Sequence, residues 1–361
     1  MKIAKALIED FRQIDRLELD FTGADGKARD LCFITGPNSC GKTTVLDAIA
    51  AALGPTTEFH STRPGFTLTK GSIVRKGADF SKVTLRLQFT DDEFVATREL
   101  FSHARDETIV PDVREVTLTW RYPDPDHRSS FGFADTDPET GWTLLKGRVR
   151  VAKLLPSGKV TWDWFKRVGG IFTFDQQRTG QGKTIRQDLW NISQAASVDS
   201  DETMPSMKRA MDPRTMLLQL ALKAQKPPPD LPNLHEFKTI QEHFARLSAP
   251  RQILGAVRDE FDTPDLRFSD GMNEYGYDGV SAGEEMLLLF LIRLASEHVH
   301  RSILLIDEVD LHQGRGLQEA LFTQLPKFGE SNQVIATTQS PILLDTAPAG
   351  AVISMGGKSA A

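Results

Sequence analysis

Residues 36–44 (GPNSCGKTT) have the composition of a loop that holds a chain of phosphates. Gly36 and Gly41 give the backbone the freedom to form a tight loop whose N–H groups turn inward toward phosphate oxygens. Lys42 is suited to the β- and γ-phosphates, and the hydroxyl of Thr43 is suited to Mg²⁺. The residues that we expect around the phosphates are Gly36, Asn38, Ser39, Cys40, Gly41, Lys42, Thr43 and Thr44.

Two adjacent carboxylates near the other end of the chain supply the second half of this chemistry. Asp307 and Glu308 directly follow the apolar run Ile303–Ile306. Asp307 suits the coordination shell of Mg²⁺ through bound waters, and Glu308 suits the attacking water as its orienter or general base. The two segments together predict a site that binds a nucleoside triphosphate with Mg²⁺ and can hydrolyse it.

Buried parallel strands are needed to bring these two segments together. Residues 31–34 and 303–306 are short apolar runs, typical of strands that are buried on both faces. Residues 42–53 have the apolar face of a helix, whose positive dipole end would point at the phosphates. Because ligands bind at the carboxyl ends of parallel strands, we expect the acidic pair to lie beside the phosphate loop.

Three further segments resemble motifs of the ABC-type ATPases. Residues 279–285 (GVSAGEE) resemble the signature motif, which implies that Ser281 and Gly283 contact the γ-phosphate held by a second subunit. An alternative is an ordinary helix cap made by Ser281. Residues 307–312 (DEVDLH) and 333–341 (QVIATTQSP) resemble the acidic-strand and switch segments of the OLD-like, RecF-like and SMC-like group more than those of transporters.

Other site residues follow only from this resemblance. The family usually has His where this chain has Gln339, and Gln cannot become a cation, so we expect slow hydrolysis. The resemblance implies a Q-loop Gln that senses Mg²⁺ and the attacking water, and either Gln176 or Gln177 fits that role. It also implies that Arg12 lies near the nucleotide, although an ordinary surface position is an equal alternative.

The implied fold is α/β, a P-loop ABC-type core with a parallel or mixed sheet, an antiparallel β layer and a helical lobe. We assign residues 1–180 and 280–361 to the core and residues 181–279 to the lobe that leads to the signature motif. The β layer is expected over about residues 80–168, where residues 83–89 and 116–120 alternate between apolar and polar side chains. Residues 184–261 are predicted to be mainly helical.

Residues 146–167 predict a basic β-hairpin with aromatic side chains and a turn at residues 156–158. The basic side chains could contact nucleic acid, with the Trp side chains stacking on bases. The alternative is a solvated basic face whose Trp side chains pack in the core.

Composition limits the setting in which the chain works. A net charge of −6 over 361 residues argues against coating nucleic acid through overall charge. Cys32 and Cys40 do not suggest a disulfide, and no signal peptide or membrane-spanning run is evident, so we expect a cytoplasmic protein.

The resemblance implies a switch in which two chains, as a homodimer or within a higher homo-oligomer, enclose two ATP molecules head to tail. Only residues 346–361 follow Asp345, so we expect a separate effector subunit, such as a nuclease, and a role in bacterial antiphage defence. The alternatives are a RecF-like DNA repair ATPase, a transporter engine, and a scaffold that binds ATP with little turnover.

Overall fold

A computed structural model describes residues 1–57, 70–103, 112–124, 130–134, 138–174, 213–225, 235–258, 263–310 and 314–356. Gln176 and Gln177 lie outside these residues, so their predicted role is not addressed by the structure. The chain forms two compact units. The first contains Met1–Gln176, Val299–Asp310 and Pro326–Ala361, and the second contains Gln177–His298 and Leu311–Leu325.

The first unit contains two sheets and the helices packed on them. In chain order its elements are β1 (Lys2–Phe11), β2 (Ile14–Asp20), β3 (Leu31–Thr35), α1 (Lys42–Thr57), α2 (Lys70–Ile73), β4 (Ser81–Gln88), α3 (Asp91–His103), β5 (Glu115–Tyr122), β6 (Ser130–Phe133), α4 (Pro138–Leu145), α5 (Gly147–Leu154) and β7 (Ile171–Phe174). The elements from the later part of the sequence are β11 (Ile303–Ile306), β12 (Gln333–Thr337), α10 (Pro341–Thr346) and β13 (Val352–Ser354).

A parallel sheet with the strand order β13-β3-β12-β11-β7 forms the centre of the first unit. Every residue of β11 and β12 is buried, which explains the continuous apolar run of β11 and the apolar centre of β12 at residues 334–336. In the register, Phe33 lies opposite Ala336, and Ile306 lies opposite that same residue from the other side. The carboxyl ends of β3, β12 and β11 therefore lie side by side, as the sequence predicted.

The second sheet is antiparallel, with the order β2-β1-β4-β5-β6. Residues on β4 and β5 alternate between buried and partly exposed, which confirms the predicted half-buried strands. Helix α1 packs against strands of both sheets, and Val45, Ile49 and Leu53 on it are fully buried. This packing fixes the helix that begins at the phosphate loop.

The predicted hairpin over residues 146–167 is wrong. The segment forms α5, a 3₁₀ turn at Leu155–Ser157 and a second 3₁₀ turn at Trp162–Lys166. Arg148, Val151 and Leu154 are the buried side chains of α5, and their three-residue spacing marks a helical face that the alternating Val and Arg residues concealed. The β layer accordingly ends at β6, and it also includes β1 and β2.

The second unit contains α6 (Pro213–Gln225), α7 (Glu236–Leu247), β8 (Gln252–Arg258), β9 (Pro264–Ser269), β10 (Glu274–Gly276), α8 (Ala282–Ser296) and α9 (Arg315–Gln324). Helix α8 belongs to this unit by its contacts, whereas the sequence analysis assigned its residues to the core. The strands form an antiparallel sheet in the order β10-β9-β8. The helical prediction is therefore wrong for β8, where a register shift between Ile253 and Gly255 breaks the alternation that identifies a strand.

Candidate nucleotide-binding site

The phosphate loop connects β3 to α1 with a backbone that only particular residues allow. Gly36 has φ of +152° and Gly41 has φ of +103°, both in the region that favours glycine. A Cβ on Gly36 would lie 2.4 Å from the carbonyl oxygen of Met355 and 2.9 Å from the Sγ atom of Cys40. Position 36 therefore requires glycine, because the backbone that directly follows β13 leaves no room for a Cβ atom.

Lys42 closes over the loop that precedes it. Its Nζ atom donates hydrogen bonds of 2.9 Å to the carbonyl oxygens of both Gly36 and Pro37, and the residue is only 8% exposed. Among the described residues, no carboxylate lies within ion-pair distance of this ammonium group. A nearly buried cation without a carboxylate partner is suited to an anionic ligand, and the N-terminus of α1 adds its dipole to that preference.

Thr43 joins the first residues of α1 to the end of β11. Its hydroxyl donates to the carboxylate of Asp307, with both oxygens at 2.9 Å. A hydroxyl has one proton and two lone pairs, so donation to Asp307 leaves oxygen lone pairs that can ligate a cation. A hydroxyl and a carboxylate are the oxygen ligands that Mg²⁺ prefers, so these residues fit the predicted metal.

Asp307 is held by β12 as well as by α1. The carboxylate is almost fully buried, and its Oδ1 atom accepts a 2.7 Å hydrogen bond from the hydroxyl of Thr337. The same hydroxyl accepts a 2.7 Å hydrogen bond from the backbone N–H of Glu308, whose φ is +47°. A left-handed backbone at a non-glycine residue is sparsely populated, and such residues are often found at functional sites.

Gln339 contacts the phosphate loop directly. Its Nε2 atom donates a 2.7 Å hydrogen bond to Oδ1 of Asn38, and both residues are exposed. The preceding residue, Thr338, donates to Oδ1 of Asp310 at 2.5 Å. The end of β12 therefore contacts the acidic segment through two threonines and the phosphate loop through Gln339.

Arg12 forms an ion pair with the helix that follows the phosphate loop. Its Nη1 atom lies 2.6 Å from the carboxylate of Asp47 on α1, and its Nε atom donates to the carbonyl oxygen of Ser72. The adjacent Gln13 lies against the phosphate loop, since a Cβ on Gly41 would be 3.1 Å from its Nε2 atom. These contacts tie the turn after β1 to α1, and no sequence motif pointed to Gln13.

In the second unit, Ser281 is the N-cap of α8. Its hydroxyl oxygen accepts from the N–H of Glu284, and the carboxylate of Glu284 accepts from the N–H of Ser281 at 3.0 Å, a complete capping box. Glu284 is buried and forms an ion pair with Arg251, whose pKa is raised by this hydrogen bond. Gly283 lies in the first turn of this rigid helix N-terminus.

The structure thus brings Lys42, Thr43, Asp307, Asn38 and Gln339 together within the first unit, in agreement with their predicted proximity. Sequence reasoning missed Thr337 and the backbone of Met355. Thr337 could have been found as a hydroxyl residue that directly follows the apolar residues 334–336, at the end of the strand before Gln339. The contribution of β13 had no sequence signal.

This arrangement of strand, phosphate loop, helix and acidic strand defines the P-loop class of nucleotide-binding folds. Residues 5–130 match the model of a family described as AAA domain. No curated protein sequence matches the chain.

Solved structures extend the comparison to the whole chain. An Smc head bound to the C-winged helix domain of ScpA is 16% identical, with a TM-score of 0.58. An Smc head domain with an extended coiled coil from Pyrococcus furiosus, bound to the C-terminal domain of ScpA, is also 16% identical, with a TM-score of 0.54. A head domain from Pyrococcus yayanosii is 13% identical, with a TM-score of 0.54. Each alignment covers 98% of this chain and 94% of the other. The chain therefore has the fold of an SMC head domain.

Among the described residues, no helix is long and apolar enough to span a membrane. No cluster of three or more His, Cys, Asp or Glu side chains is arranged there to hold a metal ion. Cys32 and Cys40 are free thiols in the structure.

Proposed function

We propose that the chain binds ATP with Mg²⁺ and hydrolyses it to ADP and phosphate. The observation that supports this most strongly is the Thr43–Asp307 pair beside the buried ammonium group of Lys42. Lys42 would neutralise the β- and γ-phosphates, while Thr43 and Asp307 would hold the cation, Asp307 through bound waters. Phosphates lose their hydration when ATP binds, and bound Mg²⁺ would replace the electrostatic stabilisation that water gave them.

Glu308 is the proposed orienter or general base for the attacking water. It follows Asp307 at the carboxyl end of the strand, where the ligand edge of a parallel sheet lies. Gln339 is the proposed sensor of the γ-phosphate, supported by its hydrogen bond to Asn38 on the phosphate loop. Because Gln remains neutral, we expect slow turnover. One of Gln176 and Gln177 is the proposed Q-loop residue.

The working unit that we propose is a dimer, alone or within a higher homo-oligomer, with two ATP molecules enclosed head to tail. Ser281 and Gly283 of one chain would face the γ-phosphate held by the other chain, which their place at a helix N-terminus supports. ATP binds the closed dimer more tightly than the open one, so hydrolysis would allow the dimer to open.

The output is proposed to pass to a separate effector protein, such as a nuclease, in bacterial antiphage defence within the cytoplasm. Two of the similar Smc heads are bound to ScpA domains, so heads of this fold do engage separate proteins. Contact of residues 146–167 with nucleic acid remains part of the proposal. A RecF-like repair ATPase and an ATP-binding scaffold are the competing functions.

ATP hydrolysis and ATP binding, measured for the wild type and two variants, test the proposal that the chain hydrolyses ATP. We expect the wild-type chain to release phosphate from ATP in the presence of Mg²⁺, Glu308→Gln to bind ATP with turnover reduced by roughly 100-fold or more, and Lys42→Ala to lose binding. Equal rates for the wild type and Glu308→Gln would remove Glu308 from its proposed role. Binding without turnover in the wild type would favour the scaffold.

Mass measurement with Glu308→Gln tests the dimer. ATP should shift this variant to a dimer or a larger assembly, and Ser281→Arg in the same background should abolish the shift. A monomer at saturating ATP would refute the head-to-tail arrangement. ATP-dependent binding of DNA by the wild type, without a partner protein, would favour the repair function.

A further inference from the structure

Thr337 contacts both acidic residues of the site, Asp307 and Glu308. It is the last residue of β12 and is fully buried. Its single hydroxyl contacts the side chain of Asp307 and the backbone of Glu308, each at 2.7 Å. We propose that Thr337 is a positioning residue for ATP hydrolysis, which orients the metal-binding carboxylate and holds the backbone of the catalytic carboxylate. This inference rests on the proposed function.

The hydrogen-bond directions leave the hydroxyl one arrangement. The N–H of Glu308 can only donate, so it occupies a lone pair of the Thr337 oxygen. The one hydroxyl proton is then directed to Oδ1 of Asp307. The backbone carbonyl of Thr337 also accepts from the N–H of Val309 at 3.0 Å, so the strand end holds the chain on both sides of Glu308.

This arrangement gives Asp307 a contact that does not depend on Thr43. The hydroxyl of Thr43 is equidistant from the two oxygens of Asp307, whereas Thr337 selects Oδ1. A carboxylate held at one oxygen presents the other in a fixed direction for the waters around Mg²⁺. Removing the Thr337 hydroxyl should therefore weaken Mg²⁺ binding and slow the chemical step, and it should affect the binding of ATP itself less.

The backbone conformation of Glu308 is a second reason to assign a positioning role to Thr337. Its φ of +47° is sparsely populated for a non-glycine residue and persists only where surrounding contacts hold it. The hydrogen bond to Thr337 is one such contact. Without it, the turn can relax toward common backbone angles, and the carboxylate of Glu308 would leave its place at the strand end.

Thr338 provides a matched control. It follows Thr337 directly and is equally buried, and its hydroxyl also makes two polar contacts. Those contacts are to Asp310 and to the N–H of Ser340, and neither is to the Asp307–Glu308 pair. Replacing Thr338 with Val therefore removes a comparable buried hydroxyl without changing the contacts of the acidic pair.

The experiment compares wild type with Thr337→Val, Thr337→Ser, Thr337→Ala and Thr338→Val. For each folded protein, kcat and KM for ATP, the Mg²⁺ concentration at half-maximal rate and Tm are measured. We expect Thr337→Val to lower kcat by roughly 10- to 100-fold and to raise the Mg²⁺ requirement, with KM changed by less than about 3-fold. Thr337→Ser, which keeps the hydroxyl, should recover most of the rate, and Thr338→Val should show a smaller loss.

The outcomes separate the inference from the function on which it rests. An active wild type with Thr337→Val at a similar kcat, or with Thr338→Val equally impaired, would overturn the positioning role alone. A loss of Tm with an unchanged Mg²⁺ requirement would mean that Thr337 is merely structural. If Thr337→Val does not fold, the same comparison is made between Thr337→Ser and Thr337→Ala. An inactive wild type would refute the proposed function and this inference with it.

Discussion

Replacing Gly36 with Ala should distort the phosphate loop through a steric clash with the backbone at Met355. The new Cβ would lie 2.4 Å from the carbonyl oxygen of Met355, a backbone atom that cannot rotate away as a side chain can. Met355 is itself held, because its N–H donates to the carbonyl oxygen of Thr35 at 2.7 Å. Relief of the clash must therefore move the loop or the chain after β13.

The size of the effect has two parts. A non-glycine residue at positive φ costs about 1–2 kcal/mol in the left-handed region. Forcing a methyl group into a closely packed position adds about 1–3 kcal/mol. Gly36→Ala should thus lower the free energy of unfolding by about 2–5 kcal/mol. Because the carbonyl of Gly36 is also an acceptor for Lys42, the loop should bind nucleotide about tenfold more weakly or worse.

Gly77→Ala is the matched control for this experiment. Gly77 has φ of +95°, and a Cβ there would meet no atom within 4 Å. The variant therefore imposes backbone strain without a clash, and it should cost only about 1–2 kcal/mol with ATP affinity unchanged. Urea unfolding and titration with ATP and Mg²⁺ measure the two quantities for both variants and the wild type. Equal stability and equal ATP affinity for Gly36→Ala and Gly77→Ala would refute the role assigned to the Met355 carbonyl.

Three further predictions concern residues around the core of the first unit. A double-mutant cycle with Arg12→Met and Asp47→Asn should give a coupling of about 1 kcal/mol in unfolding experiments, because the pair is partly buried, and additive losses would contradict it. Iodoacetamide should label Cys40 more slowly when ATP is bound and should leave Cys32 unlabelled in the folded protein, because burial raises the pKa of the Cys32 thiol to about 12. Burial lowers the pKa of His300 to about 4, so the unfolded chain binds a proton between pH 6.5 and 4 that the folded chain does not, and stability should fall as the pH falls through that range. His300→Asn should lose less stability than the wild type over the same range, by up to about 3 kcal/mol in pH-dependent unfolding experiments, and parallel curves would contradict the shift.

The centre of the fold could be predicted because its sequence signals are local. Strand β11 is an uninterrupted apolar run that is followed at once by Asp307 and Glu308, and the apolar residues 31–34 of β3 lead into the phosphate loop. A strand buried on both faces must be apolar throughout, and the ligand edge of a parallel sheet lies where the run ends. The sequence was therefore sufficient to predict that Asp307 lies beside the phosphate loop, and in the structure its carboxylate is 2.9 Å from the hydroxyl of Thr43.

The secondary-structure predictions were wrong where a helical segment also alternates as a strand would, and where a strand is interrupted. In α5, Val and Arg alternate as they would in a strand, but Arg148 is buried together with Val151. The guanidinium group of Arg148 lies over the rings of Phe165 and Phe172. A hydropathy pattern assigns Arg to the surface, so it cannot show an Arg that packs against aromatic rings. In β8, the register shift between Ile253 and Gly255 conceals the alternation.

The end of β12 shows what a motif alone does not reveal. The resemblance of residues 333–341 placed Gln339 in a switch segment, and it assigned no contact to Thr337. In the structure, Thr337 contacts the acidic pair, and Gln339 contacts Asn38 on the phosphate loop. A displacement of this strand end would therefore change the acidic pair and the loop together. That shared movement, more than the chemistry of any one side chain, is how occupancy of a phosphate site in this fold could be transmitted to α10, which begins two residues after Gln339.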